Sequence, residues 1–411
     1  MNFSRRDFLM GTTAWGCAAA MPSVFQRAAW AAPQADQPGA KDTILVVIQL
    51  SGGNDGLNTV IPFADPAYAA ARPVLKQSKD KLVSVNDQLG LHPALTGFGK
   101  LLENSQLSIV QGVGYPQPNR SHFSSMDIWH KAGREKEQTY GWLGRTSPLV
   151  SASGASLFIG DAQAPLALYG ATGHPPTIRN LDDFQLRVAA GEKDDARKRE
   201  LIQQFASRNS KSTSRLNKLV QASALETYRA SERIREATQN YQTPVAYPET
   251  ELGQRLKLIA QLINGGISER IFYTSLDGFD THAAQLPLHD GLMSTLSGAV
   301  EAFQQDVKHH GHEKRVVTIT FSEFGRRVKE NGSLGTDHGA ASQMFFVGEP
   351  IIPGVIGAHP SLTDLDDGDL KHHTDFRSIY ATVLDEWLGV DSVQVLGERY
   401  APVKLFAHQQ T

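Results

Sequence analysis

The sequence predicts an α/β fold, a three-layer αβα sandwich in which helices cover both faces of a mostly parallel central sheet. Four short apolar segments rich in β-branched residues have the composition of strands buried on both faces. Segments with helical periodicity separate several of these strands, and such alternation is typical of a parallel sheet. A polar, highly charged stretch in the middle of the chain interrupts the alternation and predicts a helical insertion.

The elements follow one another in chain order. The predicted strands are Thr43–Leu50, Leu107–Val113, Arg270–Leu276 and Arg315–Phe321, with a fifth at Met344–Gly348. The predicted helices are Ser121–Ala132, Glu251–Ile263, Leu286–Lys308 and Phe376–Leu388. Lys193–Tyr241 contains neither Gly nor Pro and is expected to form long solvent-facing helices, while Ser151–Gly170 is expected to add small strands. We therefore expect one domain at residues 43–411, with the insertion at about 146–250.

Residues 1–31 have the pattern of a twin-arginine export signal. Arg5 and Arg6 precede a largely apolar run, Leu9–Phe25, and a small-residue cleavage pattern follows at 29–31. A basic N-terminal region, a short apolar run and a cleavage site of small residues are typical of a cleaved signal peptide rather than of a membrane span. A frayed helix that happens to contain two arginines is the alternative. Residues 32–42 are then a linker, and the mature protein is expected to be periplasmic or secreted.

Composition narrows the class of protein. The formal net charge is −3, and nothing in it indicates a nucleic acid or an anionic membrane as partner. Cys17 is the only cysteine and lies inside the predicted signal, so the mature chain would have no disulfide and no thiolate metal ligand. A lipid anchor at Cys17 fits poorly, because Trp15 stands where such sites have a small residue.

Polar side chains follow the predicted strands at the points where the strands end. Ligands bind at this carboxyl edge in parallel α/β sheets. The residues at this edge are Asn54, Asp55, Asn119, Arg120, Ser121, His122, Asp277, Asp280, His282, Ser322, Glu323, Asp337 and His338, with His372 and His373 ahead of the last helix. Carboxylates and imidazoles that meet at one edge are suitable ligands for a divalent metal ion. We therefore expect a metal site in one cleft.

Each of these residues also has an ordinary structural interpretation. Asp55 could form a turn, and Asp280 and His282 could cap the following helix. Ser121 could be a helix N-cap, the Asp337-His338 segment a surface loop, and the last histidine pair solvated. Their shared position after strands is what favours the metal site.

Five ordered motifs resemble the signature blocks of the domain of unknown function 1501 family. The motifs are Gly52–Gly56, Asn119–Phe123, Phe279–His282, Ser322–Arg326 and Thr336–Gly339. The resemblance runs from about Thr43 to the C-terminus. Because the family is placed in the alkaline phosphatase and sulfatase superfamily and is usually exported by the twin-arginine route, the resemblance implies an alkaline-phosphatase-like core. It implies no particular substrate.

The resemblance also implies roles for individual residues. In the superfamily, two divalent metals clamp a phosphate or sulfate ester, with a nucleophile between them. The residues that match metal ligands are Asp55, Asp280, His282, Asp337, His338 and His373. Ser121 matches the nucleophile, with Ser124 and Ser125 as neighbours, and Asn54, Arg120 and His122 are candidates to hold the anion. Because the spacing around Asp280 and before Asp337 departs from the superfamily pattern, Glu323 is a further candidate ligand and His289 a further imidazole.

These observations lead to two functional hypotheses. The first is an exported metal-dependent hydrolase or transferase that acts on a small or glycan-type phosphate or sulfate ester. It would use one or two divalent ions, with Zn²⁺ favoured by the mixed ligands and Mn²⁺, Mg²⁺ or Ca²⁺ as alternatives. The twin-arginine export machinery is the other expected partner. The second hypothesis is a non-catalytic exported binding or assembly protein that keeps the fold, with or without a structural metal.

Overall fold

The computed structural model describes residues 42–133, 138–151, 155–161, 163–171, 177–179, 238 and 240–407. The predicted export signal and most of the predicted polar helices at 193–241 lie outside the described residues.

Short strands and nine α-helices are found in the described residues. The strands are β1 (Ile44–Ser51), β2 (Val60–Ile61), β3 (Val83–Ser84), β4 (Gly90–Leu91), β5 (Leu107–Gly114), β6 (Ser156–Ile159), β7 (Thr177–Ile178), β8 (Ile271–Asp277), β9 (Val316–Phe321), β10 (Ser342–Val347), β11 (Gly354–Ile356), β12 (Leu365–Asp366), β13 (Asp369–Leu370) and β14 (Thr374–Asp375). The α-helices are α1 (Gly56–Thr59), α2 (Pro66–Ala71), α3 (Thr96–Glu103), α4 (His122–Lys131), α5 (Trp142–Val150), α6 (Glu251–Asn264), α7 (Gln285–His309), α8 (Phe376–Thr382) and α9 (Ser392–Leu396). A π-helical stretch, Val383–Leu388, continues α8.

The central sheet has nine strands, and β1 lies near its middle. The order is β11-β5-β10-β9-β1-β8-β6-β7, and β14 also pairs with β5. Within this described sheet β10 alone runs antiparallel to its neighbours, and every other pairing is parallel. The predicted mostly parallel sheet is confirmed. Because β10 is reversed, the chain enters it, rather than leaves it, at the edge where the other strands end.

Alternate residues of β1 face two separate cores. Val46 and Ile48 pack in the core formed with α3, α6 and α7. Leu45 and Val47 face the opposite core, where Trp129, Trp142 and Tyr380 come from α4, α5 and α8. The two faces of one strand are therefore both buried under helices, which is why its sequence is continuously apolar. This arrangement confirms the three-layer sandwich.

The range predicted as an insertion contacts the domain near both of its ends. The strand β6 lies within Ser151–Gly170, where small strands are expected, and pairs with β8. The strand β7 pairs with β6 at the sheet edge and lies beyond that range. Where the chain returns, the hydroxyls of Tyr241, Thr243 and Tyr247 all donate to the buried carboxylate of Asp306 on α7. Because Asp306 is fully buried, these hydrogen bonds fix the returning segment against the domain.

No helix among the described residues is long and apolar enough to cross a lipid bilayer.

Candidate metal centre

Loops at the carboxyl edge of the sheet bring three potential ligands together. His122 begins α4, Asp280 follows β8, and His338 lies in the segment that leads into β10. One ligand atom of each lies within 4.8 Å of the others. The Nε2 atom of His282 is 2.8 Å from Nε2 of His338 and 3.1 Å from Oδ1 of Asp280. We call these four residues the His-Asp cluster.

The centre of the His-Asp cluster is one carboxylate oxygen, Oδ1 of Asp280. The Nε2 atom of His122 lies 3.3 Å from this oxygen, and the Nε2 atoms of His282 and His338 each lie 3.1 Å from it. On its other side, Nη2 of the buried Arg326 donates to it at 2.8 Å. Although partial burial opposes ionisation, the hydrogen bonds from Arg326 and His338 lower the pKa of Asp280 to about 2. The carboxylate of Asp280 is therefore ionised at neutral pH.

The opposite ring nitrogen of each histidine contacts an oxygen atom. Nδ1 of His122 is 2.8 Å from Oε1 of Glu323, and the hydrogen bond to Glu323 raises the pKa of His122. Nδ1 of His282 is 3.3 Å from Oδ1 of Asp337. Nδ1 of His338 is 2.7 Å from the backbone oxygen of Arg120, which can only accept. An oxygen partner at Nδ1 is the usual way in which a metal-binding histidine is oriented, with its Nε2 lone pair left for the ion.

The cluster has the properties expected of a cation site. Nε2 of His338 lies 2.8 Å from Nε2 of His282 and 3.1 Å from Oδ1 of Asp280, so potential ligand atoms from three residues meet at one point. The Nε2 atom of His122 is buried and forms no hydrogen bond within the described residues, although it lies 3.3 Å from Oδ1 of Asp280. Imidazole nitrogens and carboxylate oxygens are common ligands of Zn²⁺, and catalytic zinc sites use three such protein ligands. The residues therefore fit a divalent ion.

The glycine pair after β1 allows the cluster to form. Gly52 has a φ of 117°, and a Cβ atom there would lie 2.5 Å from the backbone nitrogen of Asp280. Gly53 has a φ of 76°, and a Cβ atom there would lie 2.3 Å from the ring of Phe324, which packs against both His122 and His338. Only glycine adopts such backbone angles without strain and permits this close approach. The N–H group of Gly52 also donates to Oε1 of Glu323 at 2.9 Å.

The structure gives Asp55 a different role from the predicted one. Its carboxylate is buried and pairs with Arg72, with Nη1–Oδ2 at 2.6 Å and Nη2–Oδ1 at 3.1 Å, and Gln285 donates to Oδ2. Burial opposes the charge, but Arg72 lowers the pKa of Asp55. The assignment of Asp55 as a metal ligand is therefore corrected, because both oxygens already bind protein donors.

The predicted roles of Asn54 and Arg120 in holding an anion also need correction. Asn54 is buried, and its Oδ1 accepts from Thr59 and lies 3.1 Å from Nε2 of His289. Burial lowers the pKa of His289 to about 3, so this ring is neutral and belongs to the interior. The guanidinium of Arg120 binds Asp369 at 2.6 Å and Asp367 at 3.0 Å. Arg120 contributes its backbone oxygen to the site instead.

His373 does not join the cluster. Its Nε2 atom is 2.7 Å from the backbone oxygen of Ala358, and its Nδ1 atom is 3.0 Å from Oγ1 of Thr374. The ring packs against Gly112 of β5. The assignment of His373 as a metal ligand is therefore corrected, since both nitrogens have other partners.

Glu323 and Asp337 contact the cluster through histidines. The Oε1 atom of Glu323 binds His122, and its side chain is 2% exposed. Asp337 binds His282 and accepts from Asn331, and the hydrogen bond from Asn331 lowers the pKa of Asp337. In this structure both carboxylates contact the cluster through imidazoles, and their role as direct ligands stays a prediction.

The hydroxyl of Ser121 is exposed and makes no hydrogen bond to its own helix, although Ser121 is the N-cap of α4. Its backbone N–H donates to Oδ1 of Asn119 at 2.8 Å. The side-chain cap considered from sequence does not form, so the hydroxyl beside His122 is available to a ligand.

Sequence reasoning placed His122 among the anion-binding residues and missed Arg326. Arg326 is fully buried and donates to the backbone oxygens of Gly53 and Thr336 as well as to Asp280. It therefore joins its own motif, Ser322–Arg326, to three of the other four. In the sequence, the feature that could have indicated a role for His122 and Arg326 is that each lies within one of the five motifs.

Comparison with known proteins gives a family and a set of distant structural likenesses. A family model described as "Protein of unknown function (DUF1501)" matches residues 42–400. No curated protein matches the chain.

Several solved structures are similar to the chain at low identity. A PsFucS1 sulfatase from Pseudoalteromonas sp. is 12% identical with a TM-score of 0.36, and the match covers 86% of this chain and 68% of that one. A protein in the alkaline phosphatase superfamily from Vibrio parahaemolyticus is 9% identical with a TM-score of 0.37, and the match covers 92% and 78%. The zinc complex of the C-terminal periplasmic domain of EcEptC from Escherichia coli is 10% identical with a TM-score of 0.35, and the match covers 77% and 75%.

Proposed function

Because the chain belongs to the DUF1501 family, whose description assigns no reaction, we propose its function from the site: an exported metal-dependent hydrolase or transferase that acts on phosphate or sulfate esters. The observation that carries the proposal is the convergence of three imidazole Nε2 atoms on Oδ1 of Asp280, each ring oriented by an oxygen at Nδ1. Such an arrangement is typical of a metal centre.

His122, Asp280 and His338 would hold the ion, with His282 beside them. Zn²⁺ is the best match, and its fourth coordination position would be available to an ester oxygen. Among the described residues, one group of potential ligands has its ligand atoms within 4.8 Å of one another. We therefore propose one ion. When bound, the ion would supply Lewis acidity toward an ester oxygen and lower the pKa of a nucleophile beside it.

The start of α4 supports an anionic substrate. His122 is the first residue of this ten-residue helix, so the free N–H groups of its first turn lie at the metal centre. These groups and the helix dipole favour a negatively charged group there. We propose that they bind the oxygens of the ester and that the hydroxyl of Ser121 is the nucleophile. The motif resemblance described above supports the same assignment.

Ser121→Ala is expected to lower kcat by at least about 1000-fold, because a catalytic nucleophile is lost, while zinc content stays unchanged. The measurement is turnover of the best substrate from a screen of aryl phosphate and aryl sulfate mono- and diesters on zinc-loaded protein. Ser124→Ala, in the first turn of the same helix, is the matched control and is expected to retain activity. A wild-type rate in Ser121→Ala would exclude this residue as the nucleophile.

Metal content decides between the proposed enzyme and a protein without a metal centre. Elemental analysis of the purified protein after dialysis against zinc is expected to give about one ion per chain. A protein that binds no divalent ion under any loading condition would contradict the proposal.

A second function, a non-catalytic binding or assembly protein with a structural metal, is favoured by one observation. Asp55 and His373 match ligands of a two-metal site in sequence, yet both have other partners in the structure. Stoichiometric zinc without turnover of any ester in the screen would support this second function.

We propose twin-arginine export to the periplasm or the medium on the basis of Arg5, Arg6 and the apolar run that follows. These residues lie outside the described part of the chain. Replacement of both arginines with lysine is expected to keep the protein in the cytoplasm, as measured by fractionation and immunoblotting. A variant in which Lys79 and Lys81 are replaced with arginine is the control for export. Normal export of the Arg5→Lys/Arg6→Lys protein would show that the twin-arginine assignment is wrong.

A further inference from the structure

A pocket of about 480 Å³ opens directly beside the His-Asp cluster. His122, Asp280 and Glu323 line the pocket on the side of the cluster, so the pocket opens directly onto the proposed metal centre. Phe123, Met126 and Leu166 form its apolar side. We call this space the Phe123 pocket. A molecule with its anionic group at the metal centre would therefore place its organic part against these side chains.

Phe123 is unusually exposed for a residue next to a candidate active site. Its side chain is 88% exposed, whereas the other large exposed hydrophobic residues in the described chain lie between 40% and 54%. Position 123 is in the first turn of α4, directly after His122, so the backbone that positions the cluster also positions this ring. Exposure of an aromatic ring to water is unfavourable, and rings exposed at a pocket entrance commonly contact ligands.

The polar residues of the Phe123 pocket bind one another. Oε1 of Gln49 is 2.8 Å from Nε2 of His130 and accepts from the hydroxyl of Tyr273, and Nε2 of Gln49 donates to Ser51. Burial lowers the pKa of His130 to about 3, so this ring carries no charge at neutral pH. Asp127 pairs with Lys131 at 2.9 Å. The pocket outside the cluster thus offers apolar contact with few free polar partners for a ligand.

We infer that the Phe123 pocket binds an aromatic ring in the organic part of the ester, with Phe123 stacked on it. This inference rests on the proposed function, since the metal centre must hold the anionic group. It narrows the substrate class to phosphate or sulfate esters that carry an aromatic group next to the ester oxygen.

The test compares two non-hydrolysable anions that differ only in the organic group. Isothermal titration of zinc-loaded protein is expected to show that phenylphosphonate binds about 10-fold more tightly than methylphosphonate, the size of one aromatic stacking contact. Phe123→Ala is expected to abolish this preference and to leave both the zinc content and the methylphosphonate affinity unchanged. Phe123→Tyr is expected to retain the preference. Leu149→Ala, at an exposed apolar residue of α5, is the matched control and is also expected to retain it.

The outcomes separate this inference from the proposed function. Equal affinity for the two phosphonates, or a preference that survives in Phe123→Ala, would overturn the inference and leave the metal centre intact. Stoichiometric zinc without binding of either phosphonate would also overturn it. Failure to bind zinc would contradict the proposed function, and the inference would fail with it.

Discussion

His338→Ala is expected to weaken zinc binding by at least about 100-fold, whereas His373→Ala is expected to leave it unchanged. Both histidines are candidate ligands by sequence. The Nε2 atom of His338 lies at the centre of the His-Asp cluster, 3.1 Å from Asp280 Oδ1 and 2.8 Å from His282 Nε2. The Nε2 atom of His373 contacts the backbone oxygen of Ala358. Competition against a chromogenic chelator measures the zinc affinity of each variant.

Comparison of the two variants shows whether a loss of zinc binding results from unfolding of the protein. The side chain of His338 is 22% exposed, so its truncation leaves no large buried cavity. Near-wild-type unfolding temperatures for both apoproteins would show that the fold is retained. Loss of zinc in His373→Ala with retention in His338→Ala would mean that the ion binds elsewhere and that the His-Asp cluster is not the metal site.

The fold could be predicted because its strands are buried on both faces. Thr43–Leu50 reads as one continuous apolar run, and the observed strand, Ile44–Ser51, is displaced by a single residue. The direction of β10 could not be predicted, because a central strand has the same apolar composition whether it runs parallel or antiparallel. The short strands β11 and β14 contain too few residues to produce a periodic pattern.

The candidate site could be predicted in position but not in its exact ligands. A strand end fixes where a residue lies, whereas the direction of its side chain depends on distant partners. Asp55 and Asp280 both follow strands of the sheet, yet Asp55 faces Arg72 from α2 in the interior and Asp280 faces the histidines. No local pattern around Asp55 shows that an arginine 17 residues later will reach it. The sequence does not determine the orientation of α4, so it cannot show that the imidazole of His122 faces Asp280.

Arg72→Met is expected to lower the free energy of unfolding by about 3–5 kcal/mol, the usual cost of leaving one member of a buried ion pair without its partner. The side chains of Arg72 and Asp55 are both 0% exposed. Arg72 also donates to the backbone oxygens of Val328 at 2.6 Å and Arg327 at 2.8 Å. Methionine fills a similar volume but replaces none of these hydrogen bonds. Urea unfolding of the apoprotein measures the difference.

The pH dependence of this loss identifies its cause. In the wild-type protein Arg72 holds the pKa of Asp55 below its ordinary value, so the pair stabilises the fold above the unfolded pKa and the effect is lost as pH falls. Without Arg72, burial is expected to raise this pKa instead. Ionisation of the buried Asp55 would then oppose folding, so the stability of Arg72→Met relative to wild type should decline as pH rises above the unfolded-state pKa of aspartate, about 4. Asp55→Asn is the companion variant, and it should lose stability without this decline while it binds zinc with wild-type affinity. A pH-independent loss in Arg72→Met would contradict the buried ion pair, and loss of zinc in Asp55→Asn alone would return Asp55 to the set of metal ligands.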